Sequence, residues 1–300
     1  MGFTYEKKTA AAGPFIEITG YEGEAPSLTV PDEIEGLPVR SIGNHALADR
    51  SDVREITLPR TLKTLHLFAF QNDANLEKIR VFDTADDCYD GVIRSCDALR
   101  EIAVEMTGEN NYVLMRELLQ DTDNALSFLL HWPAGEGKQE KTLRLMFPEY
   151  VREAREDTMA RAIHFTIEGA GMAYRECVEK HALLLAEYDR LLPRLTSYDD
   201  LSAAEICLDR LMYPEALGEA ARAQYETWLL GHTEKVLLYL IDRQDADRIR
   251  FLSREHLLDR KALEKPLQAA SEQGLAEICA MLMEAGSGSA APLSFDLDEL

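Results

Sequence analysis

The amino-acid sequence predicts an α+β protein in which a β-solenoid occupies residues 1–147 and an all-α domain occupies residues 148–286. Two observations carry this prediction. An apolar pattern recurs every 23 residues in the first half, and apolar residues fall at helical spacing in the second half. A Gly/Ser-rich linker then opens residues 287–300, which we expect to form a flexible tail of apolar and acidic residues.

The repeated pattern is an apolar-x-x-apolar-x-apolar unit, and three copies align without a gap. The copies begin at Val53, Leu76 and Leu99, which are 23 residues apart. Their last two apolar positions alternate like a strand with one buried face. No such unit can bury its apolar edge alone, so the units must stack and share one core. The residues expected in that core are Ile56, Leu58, Ile79, Val81, Ile102 and Val104.

A related segment precedes these copies. Leu28-Thr29-Val30-Pro31 matches Ile56-Thr57-Leu58-Pro59, and the residues from Ile34 to Gly43 contain a Gly-Leu-Pro turn. Together with Ile18 to Gly23, this segment resembles the entry repeat of BspA-type leucine-rich repeat proteins, which are common in gut bacteria. The resemblance covers about the first third of the chain and implies a leucine-rich repeat solenoid for residues 1–147.

The start of the chain bears on location. Members of the family that it resembles are often exported surface adhesins, but Met1 to Glu6 contain no apolar segment of the kind that directs export. Five widely spaced cysteines form neither a disulfide framework nor a zinc-binding pattern, and they suit a reducing compartment. We therefore expect a cytoplasmic protein.

The pattern changes after Val104. Tyr112 to Leu119 have helical spacing, whereas Leu126–Leu130 and Thr142–Phe147 read as strands. An atypical terminal unit of this kind is expected, because an open solenoid end would expose its core. We interpret these residues as a degenerate closing repeat.

Residues 148–286 have helical character. Helices are predicted over Glu149–Met159, over Tyr174–Leu192 with Pro193 as its end, over Leu201–Met212, and over Glu215–Leu230. Residues 234–286 hold two segments that align at a spacing of about 30 and resemble an ankyrin repeat, with Gly274 and Gly286 as helix stops. An ordinary bundle of helical hairpins remains an alternative, since the Thr-Pro-Leu-His signature of ankyrin repeats is absent.

Charge restricts the partners. The formal net charge of −22 argues against binding to nucleic acid or to an anionic membrane, because both contacts require Lys and Arg. The sequence also lacks the run of about 20 apolar residues that a membrane-spanning helix requires. The acidity serves the solubility of a repeat surface, or it serves the binding of a basic partner.

The sequence contains no recognisable catalytic, metal or cofactor motif. His164 with Glu168 and Cys177 with His181 have the spacing of helical ligand pairs, but neither belongs to an H-E-x-x-H pattern. The acidic loop from Asp83 to Asp90 lacks the alternation of a calcium loop. We therefore expect no catalytic residue, metal or cofactor. The alternative is a hydrolase with its site in the helical half, around Tyr150, His164 and His181.

The most direct functional reading is an intracellular scaffold that binds protein partners through its repeats, and carbohydrate binding stays open as a minor alternative. The tail contributes one further hypothesis. Phe295, Leu297 and Leu300 are apolar residues among acidic ones, a pattern that suits docking on the sheet edge or groove of a partner. A plainly disordered tail is the competing interpretation.

Overall fold

A computed structural model describes residues 2–107, 110–135, 137, 139–157 and 162–287. The chain divides into two compact units. The first runs to Ser202 and includes Tyr213–Ala216, and the second contains Ala203–Met212 and the chain from Leu217 onward. The α+β prediction is confirmed, because a solenoid of parallel strands precedes a helical region. The domain boundary at residue 148 stays a prediction.

The strands of the first unit form two six-stranded sheets and a separate hairpin. The first sheet has the order β1-β2-β5-β7-β9, with β4 beside β5; the second has the order β12-β11-β10-β8-β6-β3; the hairpin pairs β13 with β14. Their bounds are β1 Gly2–Ala10, β2 Gly13–Glu22, β3 Ser27–Thr29, β4 Glu33–Ile34, β5 Leu37–Ile42, β6 Glu55–Thr57, β7 Thr64–Leu65, β8 Lys78–Phe82, β9 Asp87–Cys88, β10 Glu101–Glu105, β11 Leu126–Trp132, β12 Lys141–Phe147, β13 Val151–Asp157 and β14 Ala162–Glu168.

The second sheet carries the 23-residue register. Its strands β3, β6, β8, β10 and β11 run parallel, and Ile56, Ile79 and Ile102 are direct neighbours in successive strands. Val81 likewise pairs with Val104. Alternate residues point inward, and each of the six expected core residues is at most 6% exposed. The solenoid core is therefore one continuous apolar stack.

Three solenoid turns also contribute a short strand to the first sheet, where β5, β7 and β9 pair in parallel. The coil after each of these strands has a left-handed residue at a position that also repeats every 23 residues. His45, Phe68 and Gly91 have φ of 52°, 59° and 74°. At Gly91 a side chain is excluded, because its Cβ would lie 2.4 Å from the Phe68 ring.

The closing repeat has the predicted elements. Helix α1 spans Val113–Asp121, β11 continues the parallel sheet, and β12 ends it as an antiparallel strand. Leu114, Met115, Leu118 and Leu119 give α1 a buried apolar face, as their helical spacing indicated.

The helix predicted over Glu149–Met159 is wrong. Val151–Asp157 form β13, which pairs antiparallel with β14 over seven residues. Residues 151–157 have the composition of a helix, but their partner strand is rich in β-branched and aromatic residues. Pairing with that strand decides the conformation, and a local reading of residues 149–159 does not include it.

The long helix predicted over Tyr174–Leu192 is also wrong. Three short helices take its place: α2 (Gly171–Arg175), α3 (Leu185–Arg190) and α4 (Leu192–Leu195). An isolated antiparallel bridge joins Val178 to Leu183 between α2 and α3. Pro193 lies in the first turn of α4, a position that proline tolerates, and does not end a helix.

The remaining helices are α5 (Asp200–Met212), α6 (Glu219–Gly231), α7 (Thr233–Asp242), α8 (Ala246–Arg254), a 3-10 helix at Arg260–Ala262, α9 (Glu264–Glu272) and α10 (Ala276–Ser287). Helix α7 packs against α9, and α8 packs against α10. The 30-residue spacing appears in the backbone. Asp245 N donates to Leu240 O and Leu275 N donates to Ala270 O, each at 2.9 Å. This is a helical repeat, and its ankyrin-like character stays a prediction.

A cluster of buried charges lies within the second unit. Arg248 donates from Nη1 to Glu205 and from Nη2 to Asp209, both at 2.6 Å, and Tyr239 Oη donates to Glu205 at 2.6 Å. Burial alone would lower the pKa of Arg248, but the charges of Asp209 and Glu205 have the larger effect, so the pKa is raised. The buried cation is therefore fully compensated by acidic side chains.

Candidate functional site

The outward face of the second sheet is a regular surface that spans six strands, and we call it the sheet face. One row of outward residues crosses all six strands in register: Thr29, Thr57, Arg80, Ala103, Leu129 and Arg144. Neighbouring strands lie about 4.8 Å apart, so the row is roughly 24 Å long. These side chains point outward because their neighbours in each strand are buried, and successive side chains of a strand point to opposite faces.

Ion pairs cross the sheet face from strand to strand. Arg80 on β8 pairs with Glu55 on β6. Glu101 on β10 receives Lys78 from one side and Arg144 Nη1, at 2.9 Å, from the other. Burial alone would raise the pKa of Glu101. The hydrogen bond from Lys78 and the charge of Arg144 together have the larger effect, so the pKa is lowered. Glu101 is thus an anion held between two cations.

A histidine extends this network at one end of the strands. His131 Nδ1 lies 2.8 Å from Glu105 Oε2, and its Nε2 lies 2.8 Å from Glu140 Oε1. The hydrogen bonds to Glu105 and Glu140 raise the pKa of His131. Protonation of His131 therefore adds positive charge between two carboxylates.

The sheet face is balanced in charge, although the chain as a whole carries −22. Its strands present as many cations as carboxylates. The charged residues at outward positions are Lys78, Arg80, Arg144, Glu55, Glu101 and Glu105. The excess acidity of the chain therefore lies elsewhere, and this surface does not repel an ordinary protein surface of mixed charge.

The acidic residues of the coils serve the solenoid itself. Asp83 Oδ1 accepts the backbone N–H of Thr107 at 2.7 Å, and Asp73 Oδ1 accepts that of Arg50 at 2.8 Å. Burial raises the pKa of Asp73 to about 8. Among the described residues, no group of three or more His, Cys, Asp or Glu side chains is arranged to hold a metal ion.

The residues proposed for a hydrolase do not share one pocket. Tyr150 lines a groove of about 630 Å³, and His181 lines a different pocket of about 290 Å³. The side chain of His164 lies outside the part of the chain that the structure describes.

Neither pair of residues with the spacing of helical metal ligands lies on one helix. His164 and Glu168 lie on β14, where four residues span about 13 Å. Cys177 ends a helical turn, and His181 lies beyond it, in the loop before α3.

Two further sets of residues are the tail, which was predicted to bind, and the sheet face, which was not predicted. Phe295, Leu297 and Leu300 lie outside the described residues. The residues of the sheet face were not singled out from the sequence, although Glu55, Lys78 and Glu101 alternate in sign at the 23-residue spacing. That alternation is the signal that could have found them, because equivalent positions of stacked repeats become neighbours.

Comparison with solved structures finds leucine-rich repeat proteins. The protein from T. pallidum is 16% identical over 33% of this chain and 68% of that chain, with a TM-score of 0.24. A protein from Bacteroides capillosus is 18% identical over 36% of this chain and 89% of that chain, with a TM-score of 0.28. A protein from Bacteroides ovatus is 14% identical over 36% of this chain and 49% of that chain, with a TM-score of 0.23.

No protein-family model and no curated protein matches the chain. Within the described residues, each helix is too short or too polar to cross a membrane.

Proposed function

We propose that this chain is a scaffold module that binds a protein partner through the sheet face. The observation that carries the proposal is a charge-balanced sheet face that spans six strands in an otherwise strongly acidic molecule. Stacked repeats provide broad, regular surfaces of this kind, and such surfaces suit contact with another protein. The partner we expect carries both signs of charge opposite Glu55–Arg80 and Lys78–Glu101–Arg144.

The proposal assigns no catalytic role, cofactor or metal to the chain. The placement of Tyr150 and His181 in different pockets supports this choice. Nucleic acid and anionic membranes are disfavoured as partners by the net charge of −22. We also propose a cytoplasmic location, which is supported by five free thiols, the state that a reducing compartment maintains.

The test is affinity capture from the source cell with three baits. The full chain is compared with Ala103→Arg, which places a bulky cation at the middle of the sheet face, and with the matched control Ala220→Arg. Ala220 is exposed on α6, so the control adds the same side chain elsewhere. Proteins retained by the full chain and by the control, but lost with Ala103→Arg, are candidate partners.

Each candidate is then measured with purified components. We expect Ala103→Arg to weaken binding at least tenfold while its melting temperature stays within about 2 °C of the unmodified chain. Candidate partners that bind Ala103→Arg as tightly as the full chain would show that the sheet face is not the binding surface.

The tail is a second part of the same proposal. We propose that Phe295, Leu297 and Leu300 add to partner binding, as their alternation with acidic residues suggests. Ordering a short tail costs conformational entropy, so the gain is expected to be modest. A chain that ends at Gly286 should bind the purified partner about three- to tenfold more weakly than the full chain. Equal affinities would remove the tail from the binding surface.

A further inference from the structure

A groove of about 630 Å³ lies in the first unit, between α1, the start of β13, and α2 with the loop after it. Four of its lining residues are basic: Arg116, Arg152, Arg175 and Lys180. Two are acidic, Glu176 and Glu179, so the groove has an excess of positive charge within a chain of net charge −22. A basic groove in so acidic a protein requires a physical reason.

Arg175 is the basic residue in the wall that is buried, with 7% of its surface exposed. Its guanidinium donates only to backbone carbonyls: Nε to Leu119 O at 3.0 Å, Nη1 to Pro148 O at 2.5 Å and Gly171 O at 3.1 Å, and Nη2 to Asn124 O at 2.7 Å. It also lies 4.9 Å from the centre of the Tyr150 ring. Backbone carbonyl groups and the ring of Tyr150 therefore hold the guanidinium of Arg175 in place.

No carboxylate of the described residues forms an ion pair with Arg175. Burial lowers the pKa of its guanidinium to about 10, although the charges of Tyr150 and Asp123 act in the opposite direction. Backbone carbonyls satisfy hydrogen bonds but carry no net charge. Asp123 thus offsets the positive charge of Arg175 only through space, and no carboxylate of the described residues contacts the guanidinium next to the groove.

The second unit provides an internal comparison. Arg248 is buried to a similar degree, at 8% exposure, and it contacts the carboxylates of Glu205 and Asp209. At Arg248 the chain supplies acidic partners from its own helix α5. At Arg175 it supplies an open groove and three more cations. A buried charge is stable only when it is paired, and a bound anion would complete the pairing.

The rest of the wall describes the ligand. Leu119, Met172 and Val178 add apolar surface beside Tyr150, so part of the groove favours an apolar or aromatic group. Lys180 is exposed at the rim, and Arg116 contacts a carboxylate only loosely, with Nη1 3.7 Å from Glu117 Oε1. The rim can therefore provide charge-assisted hydrogen bonds to an oxyanion.

We propose that this groove binds a small organic oxyanion, a carboxylate or a phosphate monoester, that carries an apolar or aromatic body. The oxyanion lies among Arg116, Arg175 and Lys180, and the body lies on Leu119, Met172 and Val178. Glu176 and Glu179 restrict the charge that the groove accepts, because a polyanion would meet them at the same rim. The ligand is thus a compact molecule with one anionic group.

Isothermal titration of the full chain with simple probes tests this proposal. Phenyl phosphate and phenylacetate carry both features of the ligand, inorganic phosphate carries only the charge, and benzyl alcohol carries only the ring. The double variant Arg116→Gln/Lys180→Gln removes two cations from the groove. Its control is Arg260→Gln/Lys261→Gln, which removes two exposed cations in the 3-10 helix of the second unit. All variants are compared by thermal melting before titration.

We expect at least one phenyl probe to bind saturably at millimolar concentration or below, and inorganic phosphate and benzyl alcohol to bind at least tenfold more weakly. The groove variant should lose at least tenfold in affinity, whereas the control should stay within twofold of the unmodified chain. The proposal is overturned if neither phenyl probe saturates by 10 mM, if both double variants bind alike, or if inorganic phosphate binds as tightly as phenyl phosphate.

Discussion

The solenoid and the helical repeat of the second unit hold their stacked units together in different ways. Both stack similar units, with spacings of 23 and about 30 residues. In the solenoid, the backbone of each strand bonds to the next unit, so Ile56, Ile79 and Ile102 need only fill space. Helices satisfy their backbones internally, so the side chains must fix their arrangement. The buried contacts of Arg248 with Glu205 and Asp209 perform that task.

This difference teaches where each region is vulnerable. The solenoid depends on apolar volume and on an uncharged core, because its register is already set by strand pairing. The helical unit depends on charge compensation, because an unpaired buried charge costs several kcal/mol. Four predictions follow this contrast from the largest expected effect to the smallest.

Ile79→Asp should break the solenoid. Ile79 is 1% exposed and lies between Ile56 and Ile102, so a carboxylate there has neither water nor a partner. We expect a loss of about 4 kcal/mol or more in the free energy of unfolding, measured by urea titration and circular dichroism. Ile79→Val is the control and should cost about 1 kcal/mol. An unchanged unfolding curve for Ile79→Asp would contradict the stacked core.

Arg248→Met should destabilise the helical unit by about 3 kcal/mol or more, because the buried carboxylates of Glu205 and Asp209 would lose the cation that pairs with both. The control Arg250→Met removes a pair of exposed ion pairs and should change stability little. Adding Glu205→Gln and Asp209→Asn to Arg248→Met should restore most of the loss in chemical denaturation. A triple variant as unstable as the single one would show that packing, not charge, is what Arg248 provides.

Asp73 is an exception to the apolar solenoid core, and it predicts a dependence on pH. Burial raises its pKa from 3.8 to about 8, so the folded state holds a proton that the unfolded state releases. Stability from this group is full below about pH 4 and is lost as the pH rises towards 8. Asp73→Asn keeps an acceptor for Arg50 N–H and cannot ionise, so it should be more stable than the unmodified chain at pH 8.

We expect this gain to be on the order of 2–4 kcal/mol at pH 8 and to shrink steadily towards pH 5.5. Urea unfolding at several pH values measures it. The control Asp97→Asn removes an exposed carboxylate of the next coil, so it separates the effect of burial from that of losing one negative charge. A constant difference for Asp73→Asn would mean that Asp73 is ionised in the folded protein.

Limited proteolysis tests the boundary between the regions without altering stability. The domain boundary predicted at residue 148 implies early cleavage in residues 134–141 and in residues 286–292, where the sequence is rich in glycine or polar residues. Mass spectrometry of the first fragments identifies the sites. First cleavage within residues 50–80, inside the paired strands, would contradict both the boundary and the stability expected of the solenoid.

The solenoid could be predicted from the sequence because its apolar pattern is local and repeats in each unit. Val53, Leu76 and Leu99 stand at the same point of each unit, and equivalent positions of stacked units become neighbours. The strands of the closing repeat and helix α5 could be predicted from spacing alone. Residues 151–168 could not, because β13 has the composition of a helix and takes its conformation from pairing with β14.

The candidate sites divide in the same way. The sequence by itself determined which side of each repeat is buried, and therefore that Glu55, Lys78 and Glu101 point outward at equivalent positions. Only the tertiary structure decided that Arg175 meets the carbonyls of Leu119 and Pro148, since those residues are 56 and 27 positions away. Contacts at such separations depend on how elements pack, and no local period in the sequence records them. For that reason the repeat surface is legible in the sequence, whereas the basic groove appears only in the folded molecule.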